Sequence, residues 1–260
     1  MVEEMVGQVV GLTEGSRWLT RPKPNPSARL RLFCLPYAGG GASIFSSWAE
    51  HLPPEVELCA IQLPGRESRY LEPPFVNLLS LVQRLVPMLQ PFTEIPFVFW
   101  GHSMGAIISF ELARECRREG QQDPVHLMIS ACRAPQLPDP RPPISQESDS
   151  AFIDHLRQFG GMTEVVLENS ELMEVLLPVF RADFAMYETY SYTFEDPLNC
   201  PISAFGGAAD PRVSEAELSA WQFQTSRSFG LQIFPGQHFY INSSQLSFLS
   251  SLSKELTKLI

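Results

Sequence analysis

The sequence predicts a single domain of the α/β class, with a mainly parallel central sheet, helices on both faces and a helical insertion. Short apolar runs alternate with helical patterns along most of the chain, which is typical of parallel strands joined by crossover helices. The composition agrees, because 260 residues that are 44% hydrophobic and 18% charged can form one sizeable core and are too apolar for a disordered chain. We therefore interpret residues 1–260 as one domain.

Six segments are predicted to be strands. Residues 29–35 alternate and then become uniformly apolar before Pro36, as a strand entering a sheet does. Five further apolar runs follow, at 56–63, 97–100, 125–131, 202–205 and 231–234. Helical patterns occupy 77–89 and 106–116, and leucines near the C-terminus have the spacing of the apolar stripe of a last helix.

Two stretches fall outside this alternation. Residues 1–28 end in a proline-rich stretch that can continue neither a helix nor a central strand, so we expect a loosely ordered extension there. Residues 135–197 contain no convincing strand, and helical patterns at 150–159 and 171–187 follow several prolines. An insertion of this size between two strands is usually a cap or lid over a functional site. A purely structural layer of helices is the alternative.

Charge and cysteine content exclude several classes of function. With 19 basic and 29 acidic residues the chain has a net charge of -10, which disfavours binding to nucleic acid. No apolar run approaches the roughly 20 residues that span a membrane, and the first residues are acidic where a secretory signal would be basic. The 5 cysteines are scattered without a paired motif, which disfavours both a disulfide framework and a zinc site. We expect a cytoplasmic protein without metal.

The sharpest motif is a G-x-S-x-G sequence at 101–105, which contains Ser103. It follows the apolar run 97–100 and precedes the helical pattern 106–116, which is the context that a nucleophile elbow requires. A sharp turn from strand to helix needs small neighbours, and Gly101 and Gly105 supply them. The pattern predicts that Ser103 is a catalytic nucleophile.

A serine hydroxyl needs a base to remove its proton, and the chain has 5 histidines. We predict His238, because it follows the strand at 231–234 in a loop that can reach over the sheet edge. The other four are less suitable because they adjoin the serine, flank core elements or lie in the insertion: His102, His51, His126 and His155.

The base in turn needs a carboxylate that orients it. Asp210 comes directly after the strand at 202–205 and two glycines, at the sheet edge where catalytic loops gather. Asp183 and Asp196 are its competitors, and Asp196 reads better as a turn residue before a proline. The chain order serine, aspartate, histidine is the order of α/β-hydrolases.

Charge that develops in the transition state needs hydrogen-bond donors. The glycine-rich stretch 35–42 comes at the end of the first predicted strand and can expose backbone N–H groups. It lacks the Lys-Ser/Thr pair of a phosphate-binding loop. We predict an oxyanion hole formed by the N–H groups of Ala38 and Met104; a plain glycine turn is the alternative.

Taken together, these motifs resemble the type II thioesterases that accompany polyketide synthases and nonribosomal peptide synthetases. The resemblance runs from about Leu30 to the C-terminus. The motifs that carry it are Leu35-Pro36-Tyr37-Ala38-Gly39-Gly40, Leu63-Pro64-Gly65-Arg66, Gly101-His102-Ser103-Met104-Gly105, Gly206-Gly207-Ala208-Ala209-Asp210 and Gly236-Gln237-His238-Phe239.

This resemblance implies a discrete α/β-hydrolase that cleaves acyl or aminoacyl groups from the phosphopantetheine arm of carrier proteins, and so frees stalled synthases. No cofactor is expected, because phosphopantetheine is part of the substrate. The alternatives are a medium-chain fatty-acyl thioesterase, a general esterase of the same fold, and a hydrolase-fold binding protein without activity.

Two further sets of residues are candidates for substrate recognition. Apolar residues of the insertion are predicted to line an acyl chamber: Phe152, Phe159, Met162, Met173, Leu176, Phe180, Phe184 and Met186. Because some of them could simply pack the helices onto the body, each is also open to a structural interpretation. Four arginines that follow strand ends or open the insertion are candidates for docking a carrier protein: Arg66, Arg69, Arg133 and Arg141.

Overall fold

Seven strands form one sheet in residues 17–260, the part of the chain that the computed structural model describes. They are β1 (Leu19–Thr20), β2 (Leu30–Leu35), β3 (Val56–Ile61), β4 (Phe97–His102), β5 (His126–Ser130), β6 (Ile202–Gly207) and β7 (Phe229–Phe234). Their order across the sheet is β1-β3-β2-β4-β5-β6-β7. Every neighbouring pair is parallel except β1 and β3, which are antiparallel. All six predicted strands are present.

Helices cover both faces of this sheet. They are α1 (Leu78–Leu89), α2 (Met104–Arg118), α3 (Asp149–Phe159), α4 (Glu164–Leu167), α5 (Ser170–Glu188), α6 (Glu215–Ser219), α7 (Tyr240–Ser243) and α8 (Gln245–Thr257). Side chains alternate across the sheet because successive residues of a strand point to opposite faces. In β4, Phe97 and Phe99 pack in the cluster that contains α1 and α2, whereas Val98 and Trp100 pack in the cluster that contains α8.

The expectation that residues 1–28 form a loosely ordered extension is wrong for residues 17–28, the part of this segment that the structure describes. Trp18 is 3% exposed, and the guanidinium of Arg69 lies 3.9 Å from its ring centroid. The short strand β1 pairs with the end of β3, and the Asn25 N–H donates to Glu57 at 2.9 Å. The prolines do exclude a long element, but one buried tryptophan and a two-residue strand hold the segment to the body. Residues 1–16 lie outside the described part.

The insertion at 135–197 lies between β5 and β6 and contains α3, α4 and α5. The two helices expected there are present, and the short α4 joins them. Their apolar side chains form a separate small cluster that includes Phe152, Leu156 and Leu177. Among residues 17–260, no helix is both long and apolar enough to cross a membrane.

Candidate active site

Ser103 lies at a sharp turn between the end of β4 and the start of α2. Its backbone has φ 54° and ψ -117°, a conformation that is costly for a residue with a side chain. The turn requires glycine at positions 101 and 105. A Cβ at Gly101 would collide with the carbonyl of Gly105, and a Cβ at Gly105 would collide with the carbonyl of Leu35. The Ser103 N–H donates to the carbonyl of Ser130 at 2.8 Å. The predicted nucleophile elbow therefore has the expected geometry.

His238 lies between Ser103 and Asp210. Its Nε2 is 3.1 Å from Ser103 Oγ, and its Nδ1 is 2.8 Å from Asp210 Oδ2. The other oxygen of Asp210, Oδ1, accepts from the N–H groups of Arg212 at 2.8 Å and Val213 at 3.3 Å. Because the Asp210 carboxylate accepts from Nδ1–H, Nε2 carries the lone pair that faces the serine hydroxyl. The three residues predicted from different motifs thus meet at the carboxyl edge of the sheet.

The other candidates for base and carboxylate lie elsewhere. His102 is fully buried, and its Nδ1 hydrogen-bonds Ser130 Oγ at 2.8 Å. Burial, together with the nearby His238, holds the pKa of His102 well below its usual value, so its ring stays neutral. Asp183 is paired with Arg66, and Asp196 is exposed in the loop before β6.

The remaining histidines also have partners away from the serine. His126 Nε2 lies 2.9 Å from Ser203 Oγ, and His155 Nε2 lies 3.1 Å from Glu147. His51 follows a short 3₁₀ helix, Trp48–Glu50.

Two backbone N–H groups beside the cavity that contains Ser103 are available as donors within residues 17–260. One lies in a turn and donates to no acceptor among those residues, and the other is at the first position of a helix, where an N–H has no partner inside the helix. They belong to Ala38, in the turn after β2, and to Met104, the first residue of α2. Both residues line the cavity that also contains Ser103 and His238. Free N–H groups that face a reacting carbonyl are what an oxyanion hole requires.

Two cavities meet at Ser103. The larger has a volume of about 790 Å³ and the smaller of about 310 Å³. Ala38, Ser103, Phe159, Phe184 and His238 line both of them. The smaller cavity is walled mostly by apolar side chains. The larger cavity is lined by several polar and charged side chains, one of which is Arg212. Burial, together with the charge of a nearby arginine, lowers the pKa of Arg212 to about 10.

Five of the eight residues predicted for an acyl chamber line these cavities. Phe159 and Phe184 line both, and the smaller one adds Met162, Leu176 and Phe180. The prediction is wrong for three others, which line neither cavity: Phe152, Met173 and Met186. Phe152 and Met173 fill the cluster inside the insertion, and Met186 packs against the body.

Ile44 and Phe239 also line the smaller cavity, and sequence analysis did not select them. Phe239 could have been chosen, because it directly follows His238 in the chain. Ile44 carried no comparable signal.

The four arginines considered for docking do not form a free basic patch. Arg66 is 7% exposed and paired with Asp183. Arg69 stacks on Trp18 and donates to Glu72 at 3.0 Å. The other two share one acid, because both Arg133 and Arg141 pair with Asp139 on the wall of the larger cavity. Arg66, Arg69 and Arg133 are buried, and all four arginines are paired with acids of the chain. A carrier-docking role for any one of them stays a prediction.

Comparisons with known proteins give one consistent family. The model of the thioesterase domain family matches residues 30–256. In sequence, the chain is 44% identical over 245 residues to the gramicidin S biosynthesis protein GrsT of Aneurinibacillus migulanus, covering 94% of this chain and 96% of that protein.

Two solved structures are similar over almost the whole chain. The RedJ thioesterase from the prodiginine biosynthetic pathway in Streptomyces coelicolor is 36% identical with a TM-score of 0.83, and the match covers 94% of this chain and 100% of that one. The type II thioesterase BorB from the borrelidin biosynthetic cluster is 35% identical with a TM-score of 0.84, covering 92% and 97%. The predicted α/β-hydrolase fold is confirmed.

Proposed function

The chain belongs to the thioesterase family, and from this premise we propose that it hydrolyses acyl or aminoacyl thioesters on the phosphopantetheine arm of carrier proteins. It does so as an editing enzyme of a polyketide or nonribosomal peptide synthase. The observation that carries the proposal is the contact series from Ser103 Oγ to His238, 3.1 Å, and from His238 to Asp210, 2.8 Å, where two cavities meet. Its site of action is then the cytoplasm, with the synthase.

In the first half of the reaction, Ser103 Oγ attacks the thioester carbonyl carbon while His238 Nε2 takes the hydroxyl proton. The carbonyl oxygen becomes an oxyanion, which accepts hydrogen bonds from the N–H groups of Ala38 and Met104. When this intermediate collapses, the carbon–sulfur bond breaks. His238 gives its proton to the departing sulfur, so a free pantetheine thiol leaves and an ester remains on Ser103.

In the second half, water replaces the thiol. His238 takes a proton from the water as its oxygen attacks the ester carbon, and the same two N–H groups hold the new oxyanion. The bond to Ser103 Oγ then breaks, and His238 returns the proton to that oxygen. The net reaction consumes one thioester and one water and yields a carboxylic acid and a thiol. Every group in this scheme comes from the chain or the substrate, so we propose that no cofactor takes part.

Asp210 supports both halves by holding the Nδ1–H of His238. A carboxylate in this position fixes the tautomer and stabilises the imidazolium that forms twice per cycle. Its two backbone donors, Arg212 and Val213, fix the carboxylate itself.

We assign the smaller cavity to the acyl chain and the larger one to the pantetheine arm, and we propose that the insertion 135–197 acts as a lid over both. Aromatic and aliphatic side chains of α5, among them Leu176 and Phe180, line the smaller cavity and suit an apolar chain. The larger cavity offers polar side chains such as Gln136 and Tyr192, which suit the amide groups of the arm. The fatty-acyl and general esterase alternatives are less favoured, because the relative reported above at 44% identity is a gramicidin S biosynthesis protein, and the two solved structures come from the prodiginine pathway and the borrelidin cluster.

Enlarging Leu176 tests the acyl assignment. The larger side chain of Leu176→Phe takes up part of a cavity of about 310 Å³ and leaves less room for a long acyl chain. We therefore expect kcat/KM for a hexanoyl thioester to fall about 10-fold or more relative to an acetyl thioester. Met173→Leu is the matched control on the same helix, because Met173 is 2% exposed and lines neither cavity. The measurement is kcat/KM for acetyl, butyryl and hexanoyl pantetheine thioesters. Equal selectivity in both variants would show that this cavity does not hold the acyl chain.

The proposed substrate class is tested by comparing the same acyl group on a carrier protein, on pantetheine and in a simple oxygen ester. We expect acetyl phosphopantetheine on a carrier protein to have the highest kcat/KM, acetyl pantetheine a lower one, and an acetyl oxygen ester the lowest. The carrier adds contacts that the small thioester lacks, and the thiolate is a better leaving group than an alkoxide. Hydrolysis of the oxygen ester at the highest kcat/KM would favour the esterase alternative. Failure to hydrolyse any of them, with unmodified Ser103 after a fluorophosphonate probe, would favour a binding protein.

A further inference from the structure

We propose that Asp183 of α5, acting with Arg66, is a positioning residue that orients the Ala38 N–H of the oxyanion hole. Through it the lid becomes part of the catalytic geometry rather than only a wall of the substrate cavity. The inference rests on the proposed function, because it takes the N–H groups of Ala38 and Met104 as the oxyanion donors.

The Ala38 N–H belongs to a tight turn at residues 37–40. The Gly40 N–H donates to the carbonyl of Tyr37 at 2.9 Å, and Gly39 has a φ of 76°. This is a type II turn, in which the third residue needs a positive φ and is therefore usually glycine. In a trans peptide the Tyr37 carbonyl and the Ala38 N–H point in opposite directions. Because the Gly40 N–H fixes the orientation of the Tyr37 carbonyl, it also fixes the direction of the Ala38 N–H in the same peptide plane.

Both glycines of this turn are held by one ion pair. The Gly39 N–H donates to Asp183 Oδ2 at 2.7 Å, and Arg66 Nη1 donates to the carbonyl of Gly40 at 3.2 Å. Arg66 and Asp183 also pair with each other through two contacts, Nη1 to Oδ2 at 2.6 Å and Nη2 to Oδ1 at 2.8 Å. Asp183 is 1% exposed and Arg66 7%. The Asp183 carboxylate thus connects α5 to the turn. The Arg66 guanidinium connects the loop after β3 to the turn and to Asp183.

A second contact from the same face of α5 supports this role. Phe180 precedes Asp183 by almost one helical turn, and a Cβ on Gly39 would collide with its ring. The helix therefore touches the turn through both an aromatic ring and a carboxylate.

Stability alone explains the pair poorly. Replacing a buried ion pair by apolar residues of similar volume is often neutral or stabilising. The insertion has another ion pair that joins its helices, Arg181 to Asp149 at 2.6 Å, on its exposed side. What the buried pair adds is an acceptor for the Gly39 N–H and a donor to the Gly40 carbonyl.

The experiment compares two ligands in the full-length protein. Ser103 Oγ adds to the carbonyl carbon of an acyl trifluoromethyl ketone while His238 takes the hydroxyl proton, and the product is an anionic hemiketal that needs the oxyanion hole. A thioether of the same shape has no carbonyl and reports ground-state binding only. The variants are Asp183→Asn, which keeps the shape and one acceptor oxygen, and the double variant Arg66→Met with Asp183→Leu, which removes both charges. Asp149→Asn is the matched control, since it breaks an ion pair of α5 without touching the turn.

In wild type we expect the ketone to bind more tightly than the thioether. This advantage is expected to fall about 3-fold or more in Asp183→Asn and about 10-fold or more in the double variant, with kcat falling in parallel and KM changing less than about 2-fold. Asp149→Asn should change neither ligand. If wild type shows no ketone advantage, the proposed function fails.

If wild type shows the advantage and Asp183→Asn retains all of it, this inference alone is overturned. It is also overturned if the variant weakens both ligands equally, because that is the result of a merely structural role. Should the double variant not fold, the result with Asp183→Asn decides.

Discussion

Replacing Ser103 with alanine is expected to lower kcat/KM for a carrier-bound acyl thioester by about 10⁴–10⁶-fold, the range found when a triad nucleophile is removed. The reason is that the Ser103 hydroxyl is the group that hydrogen-bonds His238 Nε2, at 3.1 Å. Oγ is the only atom removed, and the strained turn is formed by backbone contacts that alanine keeps, so the thermal unfolding midpoint should change little. Thiol release and circular dichroism measure the two quantities.

Ser250→Ala is the control for this change. Ser250 is exposed on α8, on the face of the molecule away from the α1 and α2 cluster, and its loss should leave kcat/KM within about 2-fold of wild type. A folded Ser103→Ala protein with near-normal turnover would exclude Ser103 as the nucleophile.

The second large effect is expected for Asp210→Asn, which should lower kcat by about 10⁴-fold. The hydrogen bonds that the backbone donates to Asp210 explain this expected loss of kcat. Its Oδ1 accepts from the N–H groups of Arg212 and Val213, so the amide oxygen of an asparagine will stay at that position. The amide NH₂ then faces His238 Nδ1 and forces the proton onto Nε2. A base that carries a proton on Nε2 cannot take one from Ser103.

Asp196→Asn is the matched control for that variant, since Asp196 is an exposed residue that sequence analysis considered for the same role. It should retain full activity. The measurement is kcat across neutral pH, with thermal unfolding as the check on folding. If both variants were equally active, Asp210 would not be the residue that orients His238.

Sequence reasoning was most successful where a local pattern and a chain order coincide. The strands followed from apolar runs, and the elbow at Ser103 followed from glycines that only a tight turn from strand to helix requires. Asp210 and His238 could be selected because both come directly after strands of a parallel sheet, and such ends meet at one edge. The contacts at 2.8 Å and 3.1 Å then depend on loop geometry that the sequence does not state.

Other predictions failed because the sequence carries no information on what an apolar or charged side chain faces. The apolar residues of α3 and α5 serve both a small core and a cavity, so helical spacing alone could not separate Met173 from Leu176. The pairing of Arg66 could not be predicted either, because its partner Asp183 is 117 residues away in the chain. Trp18 was overlooked because the prolines that follow it indicated a loose segment.

Hydrolysis by the proposed mechanism proceeds through an acyl group bound covalently to Ser103. Rapid acid quenching of the reaction with a carrier-bound thioester, followed by mass spectrometry of the digested protein, detects such an intermediate. We expect the peptide containing Ser103 to gain the mass of the acyl group minus one hydrogen, and Ser103→Ala to show no acylated peptide. Acyl transfer to another residue, or rapid hydrolysis with no acylated peptide at any quench time, would contradict this mechanism.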